Sequence, residues 1–283
     1  MSPSRATQQL VVALLPLLAV SCARATPPDT QPKIPINESL TTATLHGKTL
    51  ELHLAQPAHA PGTPLVLYAS GDGGWFGAAV DMWRQIARDG YATVGFSARA
   101  FLKIERPRGS VMNPAQIARE YESLIEQTRR LLGVAADTPV ILTGWSRGAA
   151  FAVLVGSEAP LAKDVLGVVA IGLAEDEDLL INGAEDETDD GPVRGTKRAR
   201  PFDNYARIAE LQQPCAVIQA THDNYFPADS ARRRFGSDTP HRRLYAIEAT
   251  NHRFSHGTAR FYEALRDSLH WIAGGNPAVS AGG

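Results

Sequence analysis

Cysteine is nearly absent from this chain of 283 residues; there are two, Cys22 and Cys215. Two thiols build neither a zinc-type cluster nor a disulfide framework, and no other metal or cofactor motif is evident. Excess charge is also lacking. Lys and Arg number 28 against 30 Asp and Glu, a net charge of −2. With no basic stripe either, nothing electrostatic points to nucleic acid. A long hydrophobic run is missing as well. The apolar stretch at residues 10–20 falls far short of the roughly 20 residues that cross a bilayer. No internal repeat is seen, and the glycine-rich stretch at residues 71–74 lacks the Gly-Lys-Ser/Thr ending of a phosphate-cradling loop. What remains is an ordinary globular composition, 44% hydrophobic and 20% charged, long enough to bury one sizeable core.

The N-terminus reads as an address. Arg5, the short apolar run and the small residues Ala19-Val20-Ser21 have the layout of a secretory signal at residues 1–21. With Cys22 they resemble a bacterial lipobox, which implies cleavage before Cys22 and lipidation of its thiol. The expectation is a periplasm-facing lipoprotein of the bacterial cell envelope, held on the membrane by its acyl chains. Plain export to a secreted or soluble periplasmic form is the other reading. Pro27, Pro28, Pro32 and Pro35 then mark a solvated tether over residues 22–43. The folded domain is expected over residues 44–275, with a frayed tail at 276–283.

Within the domain, residues 44–54 alternate apolar and polar, the pattern of an edge hairpin. Buried strands are expected at residues 64–70, 91–97, 138–144, 165–171, 214–220 and 243–248. Helices are expected up to Arg88, with Gly90 as the stop, then over residues 115–132, from 149 onward, and over 258–273. Ile117, Tyr121, Leu124, Ile125 and Thr128 fall on one helical face. Strands alternating with helices predict an α/β fold, a mostly parallel sheet covered on both faces. Active residues of such a sheet sit in loops at the carboxyl ends of its strands.

Gly144-Trp145-Ser146-Arg147-Gly148 lies between a strand and an apolar helix and matches G-x-S-x-G, the nucleophile elbow of the α/β-hydrolases. The glycines allow strand and helix to pack close at a sharp turn. The turn lifts the Ser146 hydroxyl clear of the sheet and leaves the Arg147 N–H at a helix N-terminus, where it can meet an oxyanion. The elbow calls for an acid and then a histidine later in the chain. Asp223 follows one predicted strand, and His252 follows the last. Ser146 is therefore the candidate nucleophile, His252 the base and Asp223 the group that holds the imidazole. His222 and His256 are rival bases. The loop Gly71-Asp72-Gly73-Gly74 leaves the strand before the first large helix, so Asp72 or Gly73 is the candidate second oxyanion donor, through its backbone.

Ser70-Gly71-Asp72-Gly73-Gly74-Trp75 resembles the signature of the VirJ/AcvB family of bacterial virulence-associated proteins. Residues 95–101, with Arg99, are similar to that family's arginine-bearing loop. The resemblance spans about residues 64–273 and implies an exported α/β-hydrolase without cofactor that releases the amino acid from aminoacyl-phosphatidylglycerol. Arg99, Trp75 and Trp145 are the candidate substrate contacts, Arg99 toward the lipid phosphate. An acidic and then basic insert near residues 174–202 is either a solvated loop or a lid whose carboxylates, Glu175 to Asp178 among them, attract a cationic headgroup. The expected partner is a lipid or small ester; oligomeric state is not legible. A broad carboxylesterase or lipase, and a non-catalytic periplasmic binding or chaperone protein on the same fold, are the alternatives.

Overall fold

The computed structural model describes residues 34–57, 64–105, 113–158, 161, 163–177 and 201–274. The signal, Cys22 and the C-terminal tail lie outside the described residues, as does most of the acidic and basic insert. The elements run β1 (Ile36–Leu45), β2 (Lys48–Pro57), β3 (Leu65–Ala69), α1 (Ala78–Arg88), β4 (Thr93–Phe96), α2 (Ala98–Glu105), α3 (Pro114–Leu132) and β5 (Val140–Trp145). They continue with α4 (Arg147–Ser157), β6 (Val165–Ile171), β7 (Asp176–Glu177), β8 (Phe202–Asp203), α5 (Asn204–Glu210), β9 (Cys215–Ala220), α6 (Ala228–Phe235), β10 (Arg242–Ile247) and α7 (Thr258–Gly274).

Eight strands form one sheet in the order β1-β2-β4-β3-β5-β6-β9-β10. The hairpin β1–β2 is antiparallel and joins the edge through β2, which pairs antiparallel with β4. From β4 to β10 every pairing is parallel. The central strands are apolar at successive positions because both faces are covered. Along β5, Val140 and Leu142 enter the core shared with α3 and α4, while Ile141 enters the core shared with α1 and α7. Helix α3 buries the expected face, Ile117, Tyr121, Leu124, Ile125 and Thr128. Its start is set by a capping box, in which the Asn113 side chain accepts from the Gln116 N–H and the Gln116 side chain accepts from the Asn113 N–H. Gly133 ends it with φ 65°, the left-handed position where glycine avoids a Cβ penalty.

Two readings shift. The tether assigned to residues 22–43 gives way to strand at Ile36, so β1 takes up residues otherwise placed outside the domain. Its outward positions are polar or exposed, and at an edge only Ala43 and Leu45 need to be buried, so periodicity is weak there. Helices α2, α5 and α6 were not expected. Each is eight residues or fewer, too short for a clear apolar period.

Cys215 opens β9, between β6 and the edge strand β10, fully buried, and burial pushes its thiol up to about 12. A thiol reacts as thiolate. Peptide mapping after brief iodoacetamide treatment is therefore expected to find Cys215 unmodified in native protein and alkylated in urea. Equal alkylation in both states would contradict a closed β6–β9 layer.

Candidate active site

Parallel pairing from β4 to β10 aligns the carboxyl ends of β3, β4, β5, β6, β9 and β10 along one edge of the sheet. The segments leaving those ends carry Asp72 and Gly73, Arg99, Ser146, Gly172, Asp223 and His252 in turn. Residues far apart in the chain meet there because the topology is parallel, not because of any local signal.

Ser146 occupies the turn between β5 and α4 with φ 58° and ψ −122°, a left-handed conformation for a residue with a Cβ. Such strain, of order 1–3 kcal/mol, persists where surrounding structure enforces it. Here the enforcement is visible. The Ser146 N–H donates to the Ile171 carbonyl at 2.9 Å, and the Ser146 carbonyl accepts from Ala149 at 2.9 Å as the helix begins. A Cβ on Gly144 would lie 2.2 Å from the Gly148 backbone, and one on Gly148 would lie 2.1 Å from the Ala69 carbonyl oxygen. Both elbow glycines are thus demanded by contact with backbone that cannot turn aside.

Asp223 is a buried carboxylate with four donors. Its Oδ1 accepts from the N–H of Tyr225 at 2.9 Å and of Phe226 at 3.3 Å. Its Oδ2 accepts from Gln219 Nε2 at 3.1 Å and bonds His252 Nδ1 at 2.7 Å. A carboxylate satisfied on both oxygens is rigid, and the imidazole is aimed by it. The His252 ring is further held by the indole of Trp145, stacked at 5.4 Å between centroids, and by Tyr225, edge-on at 4.9 Å. Trp145 Nε1 also donates to the His252 carbonyl at 3.2 Å. Across from it, a Cβ on Gly172 would lie 2.7 Å from His252 Cε1, so the glycine after β6 is what leaves room for the ring. The loop behind is stapled by Phe254, buried and stacked on Phe261 at 4.3 Å.

His252 Nε2 is buried and makes no hydrogen bond, so a link from it to the Ser146 hydroxyl is not formed in this structure. Catalytic hydrogen bonds are often long without substrate and tighten on binding. The two rival histidines point elsewhere. His222 is exposed, with Nε2 3.5 Å from Glu248, and His256 is exposed, with Nδ1 3.2 Å from the Thr250 hydroxyl.

The glycine-rich loop lies directly over the elbow. A Cβ on Gly71 would come within 3.0 Å of the Ser146 Cβ, and the Gly74 N–H closes a turn onto the Gly71 carbonyl at 3.1 Å. Asp72 and Gly73 are thus the middle of a turn beside Ser146. Arg147, the first residue of α4, carries its side chain to Asp72, Nε to Oδ1 at 3.0 Å, and to Glu177 in β7, at 3.0 Å from its Nη2.

The three candidate substrate contacts fall in different places. Trp145 is engaged with the His252 loop, as described. The Trp75 ring stacks on His53 at 4.2 Å, meets Trp83 edge-on and presses on Gly95, where a Cβ would lie 2.1 Å from it. Those contacts fasten the glycine-rich loop to the sheet edge. Arg99 is half-buried in the first turn of α2, just past the carboxyl end of β4. The acidic stem of the insert has protein partners. Glu177 faces Arg147 at 3.0 Å, Glu175 faces Arg234 at 3.4 Å, and Arg234 also pairs with Asp203. A headgroup cation would have to compete with these arginines, so the stem is a weaker lure than its sequence suggests. Gln219, Gly172 and Tyr225 were not picked out from sequence. Gln219 lies four residues before Asp223 on a fully buried strand, and a buried amide there is the available signal.

No family model and no curated protein matches the sequence. Solved structures do match the fold. A candidate dienelactone hydrolase from Klebsiella pneumoniae subsp. pneumoniae MGH 78578 superposes with TM-score 0.61 at 15% identity, over 84% of this chain and 99% of that one. The esterase domain of a Rhodothermus marinus protein gives 0.55 at 17% identity, over 84% and 100%. The carboxylesterase CesB from Bacillus subtilis gives 0.58 at 15% identity, over 86% and 94%. With the mostly parallel sheet and its two helical layers, these matches establish the α/β-hydrolase fold for this chain.

Proposed function

We propose that this protein is a serine hydrolase that cleaves a carboxylic ester through an acyl-enzyme on Ser146. The observation that carries the reading is the conjunction at one sheet edge of a strained elbow serine with a buried Asp223–His252 pair, bonded at 2.7 Å. Structural neighbours described as esterases agree with it. In the proposed reaction His252 Nε2 takes the Ser146 proton as Oγ attacks the ester carbonyl. The resulting oxyanion meets the Arg147 N–H and an amide of Asp72 or Gly73. His252 then returns the proton to the leaving alcohol, and water repeats the sequence to free the acid. Asp223 holds Nδ1–H throughout and stabilises the imidazolium.

For substrate we propose the aminoacyl ester of aminoacyl-phosphatidylglycerol, on the likeness of Ser70–Trp75 and of the Arg99 loop to the VirJ/AcvB family. Lipidation at Cys22 and export to the periplasmic face fit that substrate, since an acyl-anchored enzyme meets its lipid in two dimensions. In this version the aminoacyl group rests on Ser146 and phosphatidylglycerol leaves. The test is incubation with lysyl-, alanyl- and unmodified phosphatidylglycerol, followed by lipid analysis. Free amino acid and phosphatidylglycerol are expected from the first two, and no change in the third. Intact aminoacyl lipids beside rapid turnover of p-nitrophenyl butyrate would favour a broad esterase instead. No turnover of any ester would favour a binding protein on this fold.

A further inference from the structure

Arg147 is an odd choice for the first residue of a helix. The helix N-terminus carries the positive end of the backbone dipole, which disfavours a cation, and α4 has no acidic residue in its first turn to offset it. The compensation comes from outside the helix, from Glu177 and Asp72. The two arms differ. The side chains of Arg147 and Glu177 are 12% and 11% exposed, whereas that of Asp72 is 59% exposed. A nearly buried ion pair is costly to break, while an exposed carboxylate is held loosely unless something fixes its partner. Glu177 therefore fixes the guanidinium, and the guanidinium fixes Asp72. Two carboxylates around one cation also leave no surplus positive charge for the reaction, so the group works by bracing.

The brace spans the parts an oxyanion hole has to keep in register. One donor is the N–H of Arg147 itself. The other belongs to the turn over Asp72 and Gly73, which leans on Ser146 through Gly71 and is closed by the 3.1 Å bond from Gly74. We infer that the Arg147 side chain, anchored by Glu177, is a positioning residue that holds the Asp72–Gly73 turn at the distance where its amide meets the oxyanion. This inference rests on the serine-hydrolase reading for its catalytic consequence, but not for its structural one. Guanidinium geometry matters, because its rigid plane lies against two carboxylates at once, Nη2 at Glu177 and Nε 3.0 Å from Asp72 as an ion pair not aligned for a hydrogen bond, and a lysine ammonium is a single point on a flexible stem.

The experiment compares wild type with Asp72→Ala, Arg147→Lys and the neutral pair Arg147→Met/Glu177→Gln. Asp72→Ala cuts only the exposed arm, and the double variant leaves no buried carboxylate unpaired. Hydrogen exchange at the amides of residues 71–74, melting temperature, and kcat and KM on p-nitrophenyl butyrate are measured together. Exchange is expected to quicken by about tenfold in all three variants. With it kcat falls by about 100-fold, the scale of a misplaced or lost oxyanion donor, and KM holds within about twofold. Lysine is expected not to rescue. Unchanged exchange and unchanged kcat, with only a lower melting temperature, would overturn the inference and leave Arg147 a fold residue. If wild type neither hydrolyses esters nor labels with a fluorophosphonate, the enzyme reading fails. Exchange at residues 71–74 then decides alone whether the brace holds the turn.

Discussion

Ser146→Ala is expected to abolish covalent labelling by a fluorophosphonate probe and to lower kcat on any accepted ester by about 10⁶-fold, with His252→Ala equal to it. The double variant should be no worse than either single one, because nucleophile and base act as a unit and removing one already disables the other. Asp223→Asn should cost less, about 10⁴-fold, since the imidazole stays in place but is offered the wrong tautomer. These substitutions separate chemistry from folding. Alanine meets the same φ of 58° that Ser146 already tolerates, and the Ser146 backbone bonds to Ile171 and Ala149 are independent of its side chain. Melting temperatures close to wild type are expected for Ser146→Ala. Persistent labelling of Ser146→Ala would mean another nucleophile. A wild type that never labels would move the protein to the binding class.

Gly148→Ala is expected to be, with Gly144→Ala, among the most destabilising single methyl additions at the described glycines. The new Cβ would sit 2.1 Å from the Ala69 carbonyl oxygen, 2.6 Å from its carbon and 2.7 Å from the Ser70 oxygen. All three are backbone atoms of β3 and its exit, and β3 is hydrogen-bonded between β4 and β5, so it has nowhere to retreat. A clash that no rotamer relieves belongs with the exceptional substitutions, of about 4 kcal/mol or more. That corresponds to about 10 °C or more in a domain of this size. Gly133→Ala is the contrasting control. Its φ is positive, at 65°, unlike that of Gly148, which lies in α4, but nothing lies within 4 Å of its Cβ position, so the cost should stay near 1 kcal/mol. Thermal unfolding monitored by circular dichroism reads both. Equal shifts for the two variants would show that close approach at Gly148 costs no more than a left-handed φ at Gly133, and would contradict the clash.

Much of the architecture was legible because it is repetitive. Apolar runs at β3, β5, β6 and β9 stand out because a strand covered on both faces has no polar side to interrupt the run. Helix α3 was legible from its period. The start of β1 was not, because an edge strand near the terminus buries little. Helices α5 and α6 were not, because each makes about two turns and leans on tertiary contacts for its stability. At the site, the elbow was legible because two glycines flank a serine between a strand and a helix. The order of acid and base was legible because both follow strands. The brace on Arg147 was hidden. Its partners lie far off in sequence, Asp72 on another strand's exit and Glu177 at the root of the insert, and no spacing rule connects them.

The linear order of residues determined which segments become strands and helices, and where a left-handed serine is tolerated, since those depend on side-chain period and on neighbours a few positions away. Only the tertiary structure decided which histidine meets Asp223. His222, His252 and His256 all lie near strand ends, and the choice turns on Trp145 and Tyr225 packing against one ring and on the missing side chain at Gly172. It also decided that the acidic residues 175 and 177 face arginines of this chain, and that Trp75 serves the sheet edge. Contact between residues remote in sequence is set by how layers stack and how parallel strands align, and that information exists only once the chain is closed on itself.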